Sequence, residues 1–113
     1  MTTLLALVAR LQARGVPIDG VGSQAHLILG QVGSVQTQLQ RIADATGLDV
    51  AITELDIRIP KDVTSAKLSQ QQADYKTIAQ VCLNISKCVG ITVWGVSDRV
   101  GPSSPVLECA DWH

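Results

Sequence analysis

The sequence predicts an α/β domain built on a parallel sheet. Helical and strand-like stretches alternate in the order helix, strand, helix, strand, helix, strand, the signature of βαβ units. The first half of the middle strand is mostly apolar, as expected for a parallel strand buried on both faces. With 113 residues, 46% hydrophobic and 17% charged, the chain has room for one domain with a packed core and is not composed like a disordered one. Right-handed crossovers would set the helices on one side of the sheet, as in a barrel wall, or on both faces of an open sheet.

The elements follow from local pattern. Over residues 3–14, Leu4, Val8 and Leu11 mark one helical face, widened by Leu5 and Leu7. Gly15 reads as the C-cap, and Pro17 prevents continuation. Residues 18–29 read as a strand in which Gly20 and Gly22 allow a bend or a close approach. Val35, Leu39, Ile42 and Ala43 define a second helical face, with Gly47 just beyond its end. Residues 48–59 form the middle strand, ended by Pro60. After Thr53 its even positions are charged: Glu54, Asp56 and Arg58. Side chains two apart on a strand share a face, so the three charges line up at the carboxyl end of an otherwise apolar strand. The longest helix is expected over 69–86, with a Ser69/Gln72 capping box and a stripe of Tyr75, Ile78, Ala79, Cys82 and Ile85. A last strand spans 89–96 and ends at Ser97 and Asp98; the Gly and Pro residues of 101–105 then signal loop.

Composition excludes several functions. Nine Lys and Arg against ten Asp and Glu give a net charge of −1, so nothing favours nucleic acid or an anionic membrane surface. No apolar run approaches the roughly 18 residues of a membrane span. Aromatics are confined to Tyr75, Trp94 and Trp112, too few for a broad stacking platform. Cys82, Cys88 and Cys109 are compatible with one disulfide plus a free thiol, or with three thiols. Asn84-Ile85-Ser86 is a glycosylation sequon, and beside a cysteine pair it favours the secretory route. Residues 1–11 do not read as a signal peptide, so the expectation is either a cytosolic protein or a longer one whose start is missing.

Two motifs fail on context. Gly20-Val21-Gly22-Ser23-Gln24-Ala25 fits the loose dinucleotide fingerprint, but apolar Leu27, Ile28 and Leu29 continue as strand where a helix N-terminus is required. Cys82 and Cys88 lack zinc-ligand spacing and have no His nearby, so neither a metal nor a cofactor is expected. His26 alone reads as a hydrogen-bonded core residue, and Glu54 as a surface partner of Arg58. Against that, Gln24 and His26 end one strand, Glu54 and Asp56 the next, and Trp94 and Asp98 the third. Ligands of α/β folds bind at the carboxyl ends of strands, so this convergence favours function.

Three separated motifs agree in order and spacing over roughly residues 4–98. They are Val16-Pro17-Ile18-Asp19-Gly20-Val21-Gly22-Ser23-Gln24-Ala25-His26-Leu27; Ile52-Thr53-Glu54-Leu55-Asp56-Ile57-Arg58; and Cys82 through Cys88-Val89-Gly90-Ile91-Thr92-Val93-Trp94-Gly95-Val96-Ser97-Asp98. They resemble the family 10 glycoside hydrolases, secreted endo-1,4-β-xylanases with a TIM-barrel fold, and the cysteine region looks fungal. The resemblance places residues 1–113 in the C-terminal part of such a catalytic domain, on barrel strands six to eight, with 99–113 a divergent tail. A barrel takes about 250 residues, so the expected fold is a partial TIM barrel of three parallel strands with flanking helices, not closed.

The resemblance also assigns roles. It implies Glu54 as catalytic nucleophile, His26 as its hydrogen-bonding partner, Asp56 as supporting carboxylate, and Gln24 and Trp94 as substrate-binding residues, Trp94 forming the floor beneath the sugar next to the scissile bond. It supports a Cys82–Cys88 disulfide across the turn between the long helix and the last strand, which leaves Cys109 free. It implies xylan or xylo-oligosaccharide as partner, secretion, and monomeric full-length members. The family's second acid lies in an Asn-Glu pair on the fourth strand, and no such pair occurs here. Arg99-Val100-Gly101-Pro102 stands where a second tryptophan is expected, and Trp112 is too far along to replace it. The expectation is that this chain alone hydrolyses no xylan and, with open strand edges, aggregates or stays partly molten. The alternatives are a non-catalytic truncated remnant and an unrelated open α/β binding domain.

Overall fold

The computed structural model describes residues 2–95. The expected features at Val96, Asp98, Cys109 and Trp112 therefore lie outside the described residues. The elements are α1 (Thr2–Ala13), β1 (Gly20–Ser23), β2 (His26–Ile28), α2 (Val35–Thr46), β3 (Asp49–Arg58), α3 (Ser65–Asn84) and β4 (Cys88–Val93). Every pairing is parallel and every strand pairs with β3. The sheet is not closed, and the α/β class with a parallel sheet stands.

β3 is central and is the most buried strand. Val50, Ile52, Leu55 and Ile57 are all buried and join Leu39, Ile42, Ala43, Ile78, Val81 and Ile85 in one core. α2 forms as its periodicity predicts. It buries Leu39, Ile42 and Ala43 and ends on Gly47, whose left-handed backbone (φ 69°) lets its N–H reach the Ala43 carbonyl at 2.9 Å. α1 is bound more loosely: of its apolar stripe Val8 is buried, while Leu4 and Leu7 remain exposed.

The strand expected over 18–29 is interrupted. Ser23 lies opposite Ile52 and His26 opposite Asp56, so two residues, Gln24 and Ala25, face three on β3, Thr53, Glu54 and Leu55. Ala25 takes the jog with φ 58°, a conformation that disfavours a residue with a Cβ. The Gln24 and Ala25 carbonyls accept from the amides of Glu54 (3.1 Å) and Asp56 (3.3 Å), which keeps β1 and β2 on one line beside β3. Upstream of the jog, Gly22 is required by close approach: a Cβ there would lie 2.8 Å from Cγ2 of Thr53.

α3 begins earlier than its predicted start at residue 69. Thr64 is the N-cap and its hydroxyl accepts from the Lys67 amide at 3.2 Å, so Ser69 and Gln72 lie inside the helix and form no cap. Lys67 Nζ also donates to the carbonyls of Pro60 (3.2 Å) and Lys61 (2.6 Å), fixing the entry loop. The buried face is Gln71, Asp74, Ile78 and Val81, continued by Ile85. Ile78 and Ile85 belong to the predicted stripe, Tyr75 and Cys82 are half-buried on its flanks, and Ala79 is exposed. The centre of the face is thus rotated toward the 71/74/78/81/85 row, which begins with two polar residues.

The Cys82–Cys88 disulfide is present, with Cα atoms 5.2 Å apart, and ties the end of α3 to the start of β4. β4 packs on β3 by one edge; Val89 and Val93 are exposed, as is Trp94 just after the strand. Among the described residues no strand covers its other edge.

Because the Thr53 side chain leaves no room for a Cβ at Gly22, Gly22→Ala should destabilise the β1–β3 pairing by about 1–3 kcal/mol, the usual cost of overpacking. Amide hydrogen exchange over β3 residues 49–52 should accelerate accordingly; unchanged protection there would show that the Thr53 side chain yields at no cost.

Candidate active site

The β2–β3 register places His26 directly beside Asp56, and Glu54 precedes Asp56 by two residues on the same strand face. The imidazole spans both carboxylates: Nε2 lies 3.1 Å from Glu54 Oε2 and Nδ1 lies 3.0 Å from Asp56 Oδ2. The two acids sit in different surroundings. The Asp56 side chain is 11% exposed and the Glu54 side chain 25%, so Asp56 lies beneath and Glu54 faces outward. The partner of Glu54 is therefore His26, not the exposed Arg58.

An ionised carboxylate only accepts hydrogen bonds, and a neutral imidazole has one N–H. Both short contacts become hydrogen bonds at once when His26 carries two protons. The electrostatics agree with that state. Burial pulls the His26 pKa down, but the hydrogen bond and charge of Asp56, followed by those of Glu54, outweigh it and raise the value above 6.5.

Trp94 follows β4. Its amide donates to the Leu55 carbonyl at 3.0 Å, and its ring meets His26 edge-on, with centroids 5.9 Å apart and planes at 83°. Gln24 enters through its main chain, whose carbonyl accepts from the Glu54 amide. The structure thus brings His26, Glu54, Asp56 and Trp94 together, with Gln24 alongside: His26 opens β2 rather than ending a strand, Glu54 and Asp56 lie in the carboxyl half of β3, and Trp94 follows β4. Asn84 and the disulfide lie at the opposite rim, where α3 ends and β4 begins. The glycines of the 20–25 motif precede strand β2, so no helix N-terminus is offered to a phosphate. Among the described residues, no group of three His, Cys, Asp or Glu side chains is placed to hold a metal ion.

Behind the cluster, α3 supplies a polar clamp. Gln71 Nε2 donates to the Ile57 carbonyl at 2.7 Å, which fixes β3 between Asp56 and Arg58. Asp74 is 3% exposed and accepts from the Gly30 amide at 2.6 Å and from Gln70 Nε2 at 2.7 Å, which fixes the chain just after β2. Tyr75 sits beside them; its pKa is pushed up to about 12 by burial, with a smaller push from the Asp56 charge. The sequence carried a signal for this clamp, since stepping back from Ile85 and Ile78 by the helical period reaches Asp74 and Gln71.

Two outcomes follow. An NMR titration should place the His26 midpoint above 6.5, and Asp56→Asn should lower it more than Glu54→Gln, in the order of their influence. The linked stability is fully present below pH 6.5 and is lost as pH rises through the folded-state value; a midpoint at or below 6.5 would remove the charged bridge. Asp74→Ala should strand the Gly30 amide at a cost of about 1–3 kcal/mol, seen as faster exchange at Gly30 and along β2.

Comparison with known proteins agrees with this geometry. Residues 1–103 match the family described as Glycosyl hydrolase family 10. An endo-1,4-β-xylanase of Agaricus bisporus is 54% identical over 99 residues, which are 87% of this chain and 29% of that protein. The xylanase of Bispora sp. MEY-1, solved with xylobiose, superposes with a TM-score of 0.82 at 33% identity, covering 94% of this chain and 32% of the other. A glycosylated endo-β-1,4-xylanase of Gloeophyllum trabeum superposes with a TM-score of 0.76 at 37% identity, covering 86% of this chain and 30% of the other. The chain thus spans about a third or less of the length of the xylanases it matches. Its parallel strands and helices correspond to part of their TIM barrel, and it belongs to glycosyl hydrolase family 10.

Proposed function

We propose that this chain forms the nucleophile side of an endo-1,4-β-xylanase site acting on xylan or xylo-oligosaccharides. The observation that carries the proposal is the single imidazole held between an outward and an inward carboxylate at the strand ends of a family 10 fold. Glu54, the more exposed acid, is the nucleophile: its oxygen attacks the anomeric carbon as the glycosidic C–O bond breaks, giving a covalent glycosyl-enzyme that water then hydrolyses. His26 is a positioning residue whose Nε2, 3.1 Å from Glu54 Oε2, keeps that carboxylate aimed. Asp56 holds His26 and compensates its charge. Trp94 offers an exposed ring face to a sugar, and Gln24 offers an exposed amide to its hydroxyls.

Retaining hydrolysis also needs a carboxylic acid about 5–5.5 Å from the nucleophile, to protonate the leaving sugar oxygen and later to activate water. Among the described acids, Asp56 is engaged by His26, Asp74 by Gly30 and Asp44, on α2, by Gln40; Asp19 and Asp49 lie at the opposite ends of the strands, and Asp62 lies in the loop between β3 and α3. Asp98, the nearest spare candidate, lies outside the described residues. We therefore assign the acid to another strand of the family's barrel, and this 113-residue chain hydrolyses no xylan by itself. The non-catalytic remnant is the form this reading takes if the chain is made alone. The disulfide is consistent with a secreted protein.

The test separates the two halves of the reaction. Purified chain should release no sugar from xylan, since positioned acid catalysis is worth about 10²–10⁴-fold. A 2-deoxy-2-fluoro xylobioside with a dinitrophenolate leaving group needs no acid, so it should label the Glu54 peptide slowly, and Glu54→Gln should abolish the label. Labelling at another carboxylate would overturn the nucleophile assignment. Hydrolysis of xylan that disappears in Glu54→Gln would show that the chain contains its own acid.

A further inference from the structure

We infer that Asn84 is an N-glycan acceptor and that closure of the Cys82–Cys88 bridge competes with its glycosylation. The inference rests on passage through the secretory route proposed above. The sequon Asn84-Ile85-Ser86 lies wholly inside the loop that this disulfide closes, whose cysteines are six residues apart. A free sequon is common by chance; one enclosed by so short a covalent loop has consequences that depend on the order of events.

The folded state has room for the product. Asn84 is the last residue of α3 and is exposed, as is Ser86. Its Oδ1 accepts from Gln80 Nε2 at 2.9 Å, and its Nδ2 donates to Gln36 Oε1 at 3.1 Å. A primary amide has two N–H groups. Glycosylation replaces one of them, so the other still serves the bond to Gln36. A glycan here would stand beside Leu83, which is 78% exposed, and at the rim opposite the His26 cluster.

The folded state is nevertheless a poor substrate. Ile85, the middle residue of the sequon, is 1% exposed in the core. Its amide donates to the Cys82 carbonyl at 3.3 Å, and its own carbonyl accepts from the Cys88 amide at 2.9 Å. The backbone of the sequon is therefore held by its core side chain, by a turn on either side of Ile85 and by the bridge. Transfer requires that this segment be drawn into an enzyme cleft. There Nδ2 of Asn84 bonds to the anomeric carbon of a lipid-pyrophosphate-linked oligosaccharide. The C–O bond to the pyrophosphate breaks, the pyrophosphate leaves with the electron pair, and the amide nitrogen gives up one proton. The segment must be open for that, so the glycan arrives before the bridge or not at all.

The experiment is translation of the 113-residue chain behind a cleavable signal sequence into microsomes, with the mobility shift removed by a peptide N-glycosidase. In oxidising conditions a fraction of the chain should carry one glycan, absent in Asn84→Gln. That fraction should rise when dithiothreitol keeps the unaltered chain reduced, and also in the Cys82→Ser/Cys88→Ser double variant. No glycan in either the reduced chain or the double variant would overturn the acceptor assignment. Equal occupancy in oxidised and reduced chain would overturn the competition. Because the signal sequence is supplied, neither outcome depends on the secretion or the catalytic reading.

Discussion

The contact on which the rest depends is the imidazole of His26 between Glu54 and Asp56. It exists because of strand register: His26 pairs with Asp56 across β2 and β3. Slipping that register by one residue would turn His26 to the other face of the sheet and leave both acids without it. The jog at Gln24 and Ala25 sets the register. It places a residue with a Cβ in a left-handed conformation, costing on the order of 1–3 kcal/mol, and that strain is held by the Glu54 and Asp56 amides bonded to the carbonyls of the jog. α3 completes the support, with Gln71 on the end of β3 and Asp74 on the chain just after β2. Stability and site geometry thus use the same few hydrogen bonds.

The two rims of the sheet carry different work. One rim, formed by the start of β2, the carboxyl half of β3 and the residue after β4, gathers His26, the two carboxylates and the exposed indole. The opposite rim holds the disulfide, the Gly47 cap and the sequon. The two acids differ in burial and share one histidine, so one side chain can be accessible for chemistry while the other is committed to holding it.

Much of this was legible in the chain. The helix–strand alternation gave the class, the apolar stretch before Glu54 marked the central strand, and the two-residue spacing of Glu54 and Asp56 gave their common face. Three motifs carried the family. What the sequence hid was non-local or was masked by a competing local signal. The break in the strand at Ala25 depends on how many residues β3 opposes to it, which no single-strand pattern contains. The start of α3 is obscured in sequence because Ser69 and Gln72 fit a cap by spacing, while Thr64 caps by hydrogen bonding. Gln71 and Asp74 are hidden because buried polar residues break the apolar stripe that marks a helix face, and their partners, the Ile57 carbonyl and the Gly30 amide, are on the neighbouring strand and loop. Ala79 fits the apolar stripe by spacing, yet it faces out.

The central claim is that His26 bridges both carboxylates through both ring nitrogens. The most direct measurement is the ¹H–¹⁵N spectrum of the His26 ring at a pH well below its midpoint, where the ring carries both protons. The bridge predicts that both ring N–H protons show the downfield shifts of hydrogen-bonded groups and exchange slowly with water. One ring N–H that exchanges with water as freely as in an isolated imidazolium would mean that His26 serves one acid alone, and the account of how Glu54 is held would fail.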